Sequence, residues 1–290
     1  MYTVIVYLLK SKGGDLLGNK IKLKDIQENN IRDNENQLSA LRTNEMQGKD
    51  IQEDSIKNDK KGNDRDRIWE IDFFRCIALL LMVYFHLIFD LKDIYGYNID
   101  YTKGFNAFTG RAAGTLFILI SGISCTFSRS NIKRGLKILA LAMLITLATY
   151  FYNIDMTIKF GVLHFLGVSI LLYSLLEKIN INLLVIIGTI IFILGNMVKN
   201  VTTDFDYFFV LGITSNNFIS ADYYPLIPWL GVFIYGIVIG KLLYKDKKSV
   251  FRFSINNNII SWVGKHTLSI YIIHQPLIII IIGLIGKTRV

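Results

Sequence analysis

The chain has 290 residues, 52% of them hydrophobic, with a formal charge of +9 and two cysteines. The apolar residues are gathered into long runs, which excludes an ordinary soluble domain. The basic excess lacks the aromatic–basic interleaving of a nucleic-acid-binding surface, so no nucleic-acid partner is expected. Cys76 and Cys125 lie inside apolar runs, which excludes a disulfide framework and a cysteine-based zinc site.

MYTVIVYLL at the start is a short apolar run followed, not preceded, by Lys, with no small-residue cleavage site after it; it reads as an interfacial segment. From Lys10 to Arg67 the residues are mostly Lys, Asp, Glu, Asn, Gln and Ser, with too little apolar surface to offset the entropy of ordering. KDIQENNIRDN at Lys24 recurs as KDIQEDSIKND at Lys49, and two copies are too few for a solenoid. Residues 1–66 are therefore expected to form a polar, largely disordered cytoplasmic tail and residues 67–290 a transmembrane domain.

Seven apolar runs follow, at 71–91, 107–127, 134–152, 160–176, 181–197, 226–244 and 267–286. A helix needs about 20 residues to cross a bilayer, and backbone groups in lipid must be satisfied internally. The expected fold is an all-α integral membrane protein, a polytopic bundle of about seven transmembrane helices. Lys and Arg concentrate in alternate gaps, which predicts a cytoplasmic N-terminus and a multi-pass protein of the cell membrane. An eighth span at FDYFFVLGI (Phe205–Ile213) would reverse the parity, and the sequence leaves it open.

The first run carries an unusual stripe. Residues eleven apart return to nearly the same helix face, about 16 Å along the axis. Asp72, Arg75, Leu79, Met82, His86 and Asp90 therefore share one face, polar at both ends and apolar between. Charges at bilayer depth cost roughly 2.5–3.5 kcal/mol each and normally face a bundle interior or a wet cavity. Arg75 suits either a snorkelling pair with Asp72 or a ligand contact. His86 suits either helix packing or a general base, with Asp90 at i+4 placed to accept its ring N–H.

With this topology Arg111, His164, His274, Asp155, Asp222 and the Tyr223-Tyr224-Pro225 turn fall toward the outer side, as an acceptor cavity would require. His274, two residues before Pro276, also suits a structural role at a kink. No two of His86, His164 and His274 share ligand spacing and no Cys or Glu accompanies them, so no metal is expected. SRSNIKRGLK (Ser128–Lys137), with Arg134, is a cytoplasmic basic patch suited to anionic membrane lipids or to the phosphates of a nucleotide donor.

RIWEIDFFRCIALLLMVYFHLIFDL (Arg67–Leu91), GTLFILISGIS (Gly114–Ser124), RGLKIL (Arg134–Leu139) and FGVLHFLGVSILL (Phe160–Leu172) resemble the prokaryotic branch of the heparan-alpha-glucosaminide N-acetyltransferase catalytic-domain family. The Arg75-to-His86 spacing and GKHTLSIYIIHQP (Gly264–Pro276) are similar to the broader membrane acyltransferase-three families. The resemblance implies transfer of an acyl group, commonly acetyl from cytosolic acetyl-CoA, to a sugar hydroxyl or amine of a glycan or glycolipid across the membrane. It implies Arg75 toward the donor and His86 as the base or the acyl carrier; the reading of the residues themselves adds Arg134 toward the donor, Asp90 beside His86 in catalysis, and Arg111, His164 and His274 toward the acceptor. Two departures stand out: no His-Ala-Ser-Trp-like stretch lies between Asp90 and Arg111, and Cys76 stands where the family usually has glycine. A non-enzymatic permease or lipid-binding bundle is the competing class, and oligomerisation is left open.

Overall fold

The computed structural model describes residues 68–128, 130–198, 201–253 and 258–287, so the expected tail lies outside the described residues. These residues form seven α-helices: α1 (Trp69–Asp93), α2 (Gly104–Cys125), α3 (Asn131–Tyr152), α4 (Val162–Leu176), α5 (Ile181–Val198), α6 (Leu226–Leu243) and α7 (Asn258–Lys287). A 3-10 turn at Ile154–Met156 precedes α4. Six of the helices are long and apolar enough to cross a membrane. The chain is a multi-pass helical membrane protein.

The exception is α4, with 15 residues, about 22 Å at 1.5 Å per residue against a hydrocarbon core of about 30 Å. It is apolar on every side, as a central helix must be. Phe165 and Ile170 of α4 are buried with Ile118 of α2, Leu184 of α5 and Phe233, Ile234 and Ile237 of α6. The segment before α4 is held by the 201–225 loop, where the Tyr224 amide donates to the Phe160 carbonyl at 2.9 Å. Phe205–Ile213 lies in this loop as bends and turns and forms no eighth span.

In lipid the hydrophobic effect does not drive helices together, so close packing of small residues carries much of the association. A Cβ on Gly122 of α2 would come within 3.0 Å of the Gly236 Cα of α6, and one on Gly236 within 3.1 Å of the Gly122 Cα. Away from such seams the apolar side chains turn outward: Leu144 and Leu147 of α3 and Ile186 and Ile193 of α5 are exposed, as lipid-facing residues are. Beyond α1, Gly96 adopts φ 71° and its amide bonds the Lys92 carbonyl at 3.0 Å, the left-handed exit that favours glycine. Tyr95 donates to the Ile279 carbonyl of α7 at 2.8 Å and fastens the end of α1 to that helix.

Candidate active site

The stripe on α1 divides into two polar ends and an apolar middle. At one end Arg75 donates to Asp72 at 2.9 Å and to the Ser124 hydroxyl of α2. Ser124 in turn donates to the Ile120 carbonyl at 2.7 Å, so the guanidinium joins α1 to α2. Arg134 is at the start of α3, with Nη2 3.0 Å from the buried Cys125 Sγ. Next along α1, Leu79 and Met82 are buried with Ala113, and Phe117, Val263, Ile270 and Tyr271 pack around them.

On the far side of this layer a cavity of about 1120 Å³ opens between α1, α2 and α7 and the α3–α4 pair. His86, Asp90, Arg111, His164 and His274 all line it, together with Asp222, while Met82, Ala113, Phe117 and Tyr271 close it toward Arg75. Of the groups expected toward the outer side, Arg111, His164, His274, Asp222, Tyr223 and Tyr224 share this cavity, whereas Asp155 and Pro225 are outside its lining. Arg75 and Arg134 are outside its lining, and in this state the buried layer separates them from His86.

The expected pairing of His86 with Asp90 does not form. His86 Nδ1 is 3.0 Å from the Met82 carbonyl, one turn back. Side chains on a helix lean toward its N-terminus, so the ring reaches the i−4 carbonyl more readily than a carboxylate at i+4. A carbonyl only accepts, which places the proton on Nδ1 and leaves Nε2 as a lone-pair nitrogen. His274 of α7 repeats the arrangement, with Nδ1 2.6 Å from the Tyr271 carbonyl. The two rings meet edge to face at 4.9 Å between centroids.

Asp90, fully buried, accepts instead from Gln275 Nε2 at 2.8 Å and ties α1 to α7. Asp90 Oδ2, Gln275 Oε1 and His274 Nε2 are buried without a hydrogen-bond partner among the described residues. All three are acceptors in this arrangement. Buried polar atoms ordinarily find partners, and this group suits a ligand rich in N–H or O–H donors.

His164 is differently employed. The Gly161 amide donates to its Nδ1 at 3.3 Å, so Nε2 carries the proton and donates to Thr146 Oγ1 at 3.0 Å. Thr146 passes the bond to the Ile158 carbonyl at 2.7 Å. Both ring nitrogens are engaged, and His164 fastens α4 to α3 within the cavity wall. Arg111 is exposed on α2 and contributes to the lining.

Gln275 has no assigned role in the sequence reading, and Asp222 enters it only by its place toward the outer side. Gln275 is signalled only by its polarity within an apolar run. Asp222 Oδ2 accepts from the Val162 amide at 2.9 Å, a partner 60 residues away that no local pattern announces.

The bundle and its cavity define a polytopic membrane protein with a histidine-lined site. The sequence model described as heparan-alpha-glucosaminide N-acetyltransferase, catalytic, matches residues 67–276, and the chain belongs to this family. Its activity class is accordingly that of a membrane acetyltransferase. Neither a curated protein nor a solved structure matches the chain significantly.

Proposed function

We propose that the protein transfers acetyl from acetyl-CoA to an amine or hydroxyl of a glycan or glycolipid acceptor, with His86 as the general base. The observation that carries this reading is the His86 Nδ1 bond to Met82, which fixes the tautomer and leaves Nε2 as the lone-pair nitrogen of a cavity-lining side chain. The acceptor's N–H or O–H gives its proton to Nε2 as its lone pair attacks the thioester carbonyl carbon. The tetrahedral adduct collapses with cleavage of the C–S bond, and the imidazolium returns the proton to the departing CoA thiolate. General base catalysis of this kind contributes roughly 10²- to 10⁴-fold.

The basic residues around Arg134 favour the cytoplasm for that end of the bundle, so in this reading the cavity faces the outer side of the cell membrane. Arg75, about 16 Å from His86 by helix rise, then suits the acidic groups of the donor. In this reading the Leu79–Met82 layer must part for the acetyl end to reach His86. The test is acetyl transfer from labelled acetyl-CoA to an envelope-glycan extract by the purified protein in membranes. Label in product with wild type and its loss in a folded His86→Ala variant support the reading; acetyl transfer surviving in that variant removes His86 from the chemistry.

A cavity closed at one end also suits one state of an alternating-access carrier. A carrier consumes no acetyl-CoA, so stoichiometric CoA release separates the two.

A further inference from the structure

The second carboxylate in the cavity lining comes from neither α1 nor α7. Asp222 belongs to the loop before α6, and Ser220 donates to its carbonyl at 2.7 Å. The start of α4 is shaped around the side chain: Asp222 Oδ2 takes the Val162 amide, and the carboxylate occupies the space where Gly161 lacks a side chain. Any Cβ at Gly161 would run into Asp222 and would come within 2.8 Å of Ile158 Cγ2. Asp222 is also close enough to the Tyr224 and Tyr271 phenols to act on them electrostatically. Tyr271 packs against His274 with ring centroids 5.6 Å apart.

We propose that Asp222 is an acceptor-positioning residue, its cavity-facing carboxylate taking a hydroxyl or ammonium of the sugar beside the group that reacts at His86. This rests on the acetyl-transfer reading of the same cavity. The Val162 and Tyr223 amides both act on the carboxylate, so its orientation is set by the backbone on either side of it. Here the cap fixes Oδ2 and thereby orients a charged group that lines the same cavity as the two histidine rings. Burial pushes the Asp222 carboxyl up to about 6, so ionisation, and with it the hold on an ammonium, is lost as pH falls through that value. Titratable groups that line the cavity with it include Tyr223 and Tyr224 in its own loop, His164 of α4, Tyr271 of α7 and Arg111 of α2. His164 has both ring nitrogens hydrogen-bonded, as described above.

The test compares Asp222→Asn, which keeps an acceptor for the Val162 amide, with Asp222→Ala, which does not. Acetyl transfer is measured against acceptor and acetyl-CoA concentration from pH 5 to 8. Asp222→Asn is expected to raise the acceptor KM about tenfold or more, to leave the acetyl-CoA KM unchanged, and to abolish the rise of acceptor KM below pH 6. Wild-type KM values and pH profile in Asp222→Asn overturn the proposal, as does a defect confined to Asp222→Ala, since either leaves Asp222 a cap alone. Calorimetric titration with glucosamine and with methyl glucoside is run on the same proteins. Should wild type consume no acetyl-CoA, the acetyl-transfer reading fails. Sugar binding that weakens in Asp222→Asn then still supports the positioning role, and binding that is absent from wild type or equal in both proteins overturns it.

Discussion

His86 and His274 approach edge to face, their ring centroids 4.9 Å apart and their planes at 74°. Each ring holds its Nδ1 against a backbone carbonyl of its own helix, Met82 for His86 and Tyr271 for His274. Two imidazoles from sequence positions far apart thus line one cavity with their tautomers already set, Nε2 of each carrying the lone pair.

That arrangement separates anchoring from chemistry. Asn carries an N–H donor near the position of histidine Nδ1 but has nothing at Nε2. His86→Asn is therefore expected to keep the bond to Met82 and the fold while lowering kcat by roughly 10²- to 10⁴-fold. Steady-state acetyl transfer together with a thermal melt checks both halves of the statement.

The Asp90–Gln275 bond is the polar link between α1 and α7 beside the histidine pair. Asp90→Ala leaves the Gln275 amide N–H without its acceptor and is expected to cost about 1–3 kcal/mol. Asp90→Asn, whose carbonyl still accepts, is expected to melt close to wild type. Melting temperatures in detergent micelles measure the difference.

Asp222 gives a pH signature independent of turnover. Its carboxyl is raised from 3.8 to about 6 by burial, so ionising it opposes folding. Above pH 6 the folded protein carries that cost. Between pH 6 and 4 the folded state binds a proton that the unfolded state has released, and stability contributed by this group rises as pH falls. Asp222→Asn should therefore melt above wild type at pH 7.5, with the gap narrowing as pH falls through 6; thermal melts at steps from pH 7.5 to 4.5 check it.

The buried layer predicts a labelling pattern. In a protein with Cys76 and Cys125 replaced by Ala, a cysteine at Leu79 is expected to resist a membrane-impermeant thiol reagent from both faces. One at Ala107, in the cavity lining, is expected to react from a single face. Labelling of sealed vesicles of both orientations reads out the pattern and identifies the compartment that the cavity faces.

The helices were largely legible because lipid demands long apolar runs, and hydropathy records them directly. Where the reading fell short the physics differs. α7 begins at Asn258, nine residues before the run that marked it, because Ser261, Gly264, Lys265 and His266 dilute the hydropathy of a stretch that is still helical. Depth along each helix was also legible, and it brought His86, Asp90, Arg111, His164 and His274 to one end. The direction of each side chain was not. Asp90 bonds a residue 185 positions away, and the Gly161 and Thr146 bonds that occupy His164 depend on how α3 meets α4. No periodicity within a single helix contains these partners.

The layer of Leu79, Met82 and Ala113 has a consequence for the membrane as an insulator. A hollow of this size that ran through the bilayer would hold a column of water, and water columns carry protons. A full elementary charge crossing a membrane dissipates about 2.3 kcal/mol for every 100 mV. With the apolar layer closed any such column is interrupted, so a cavity that carries histidines and carboxylates at bilayer depth need not discharge the gradient across the membrane in which it lies.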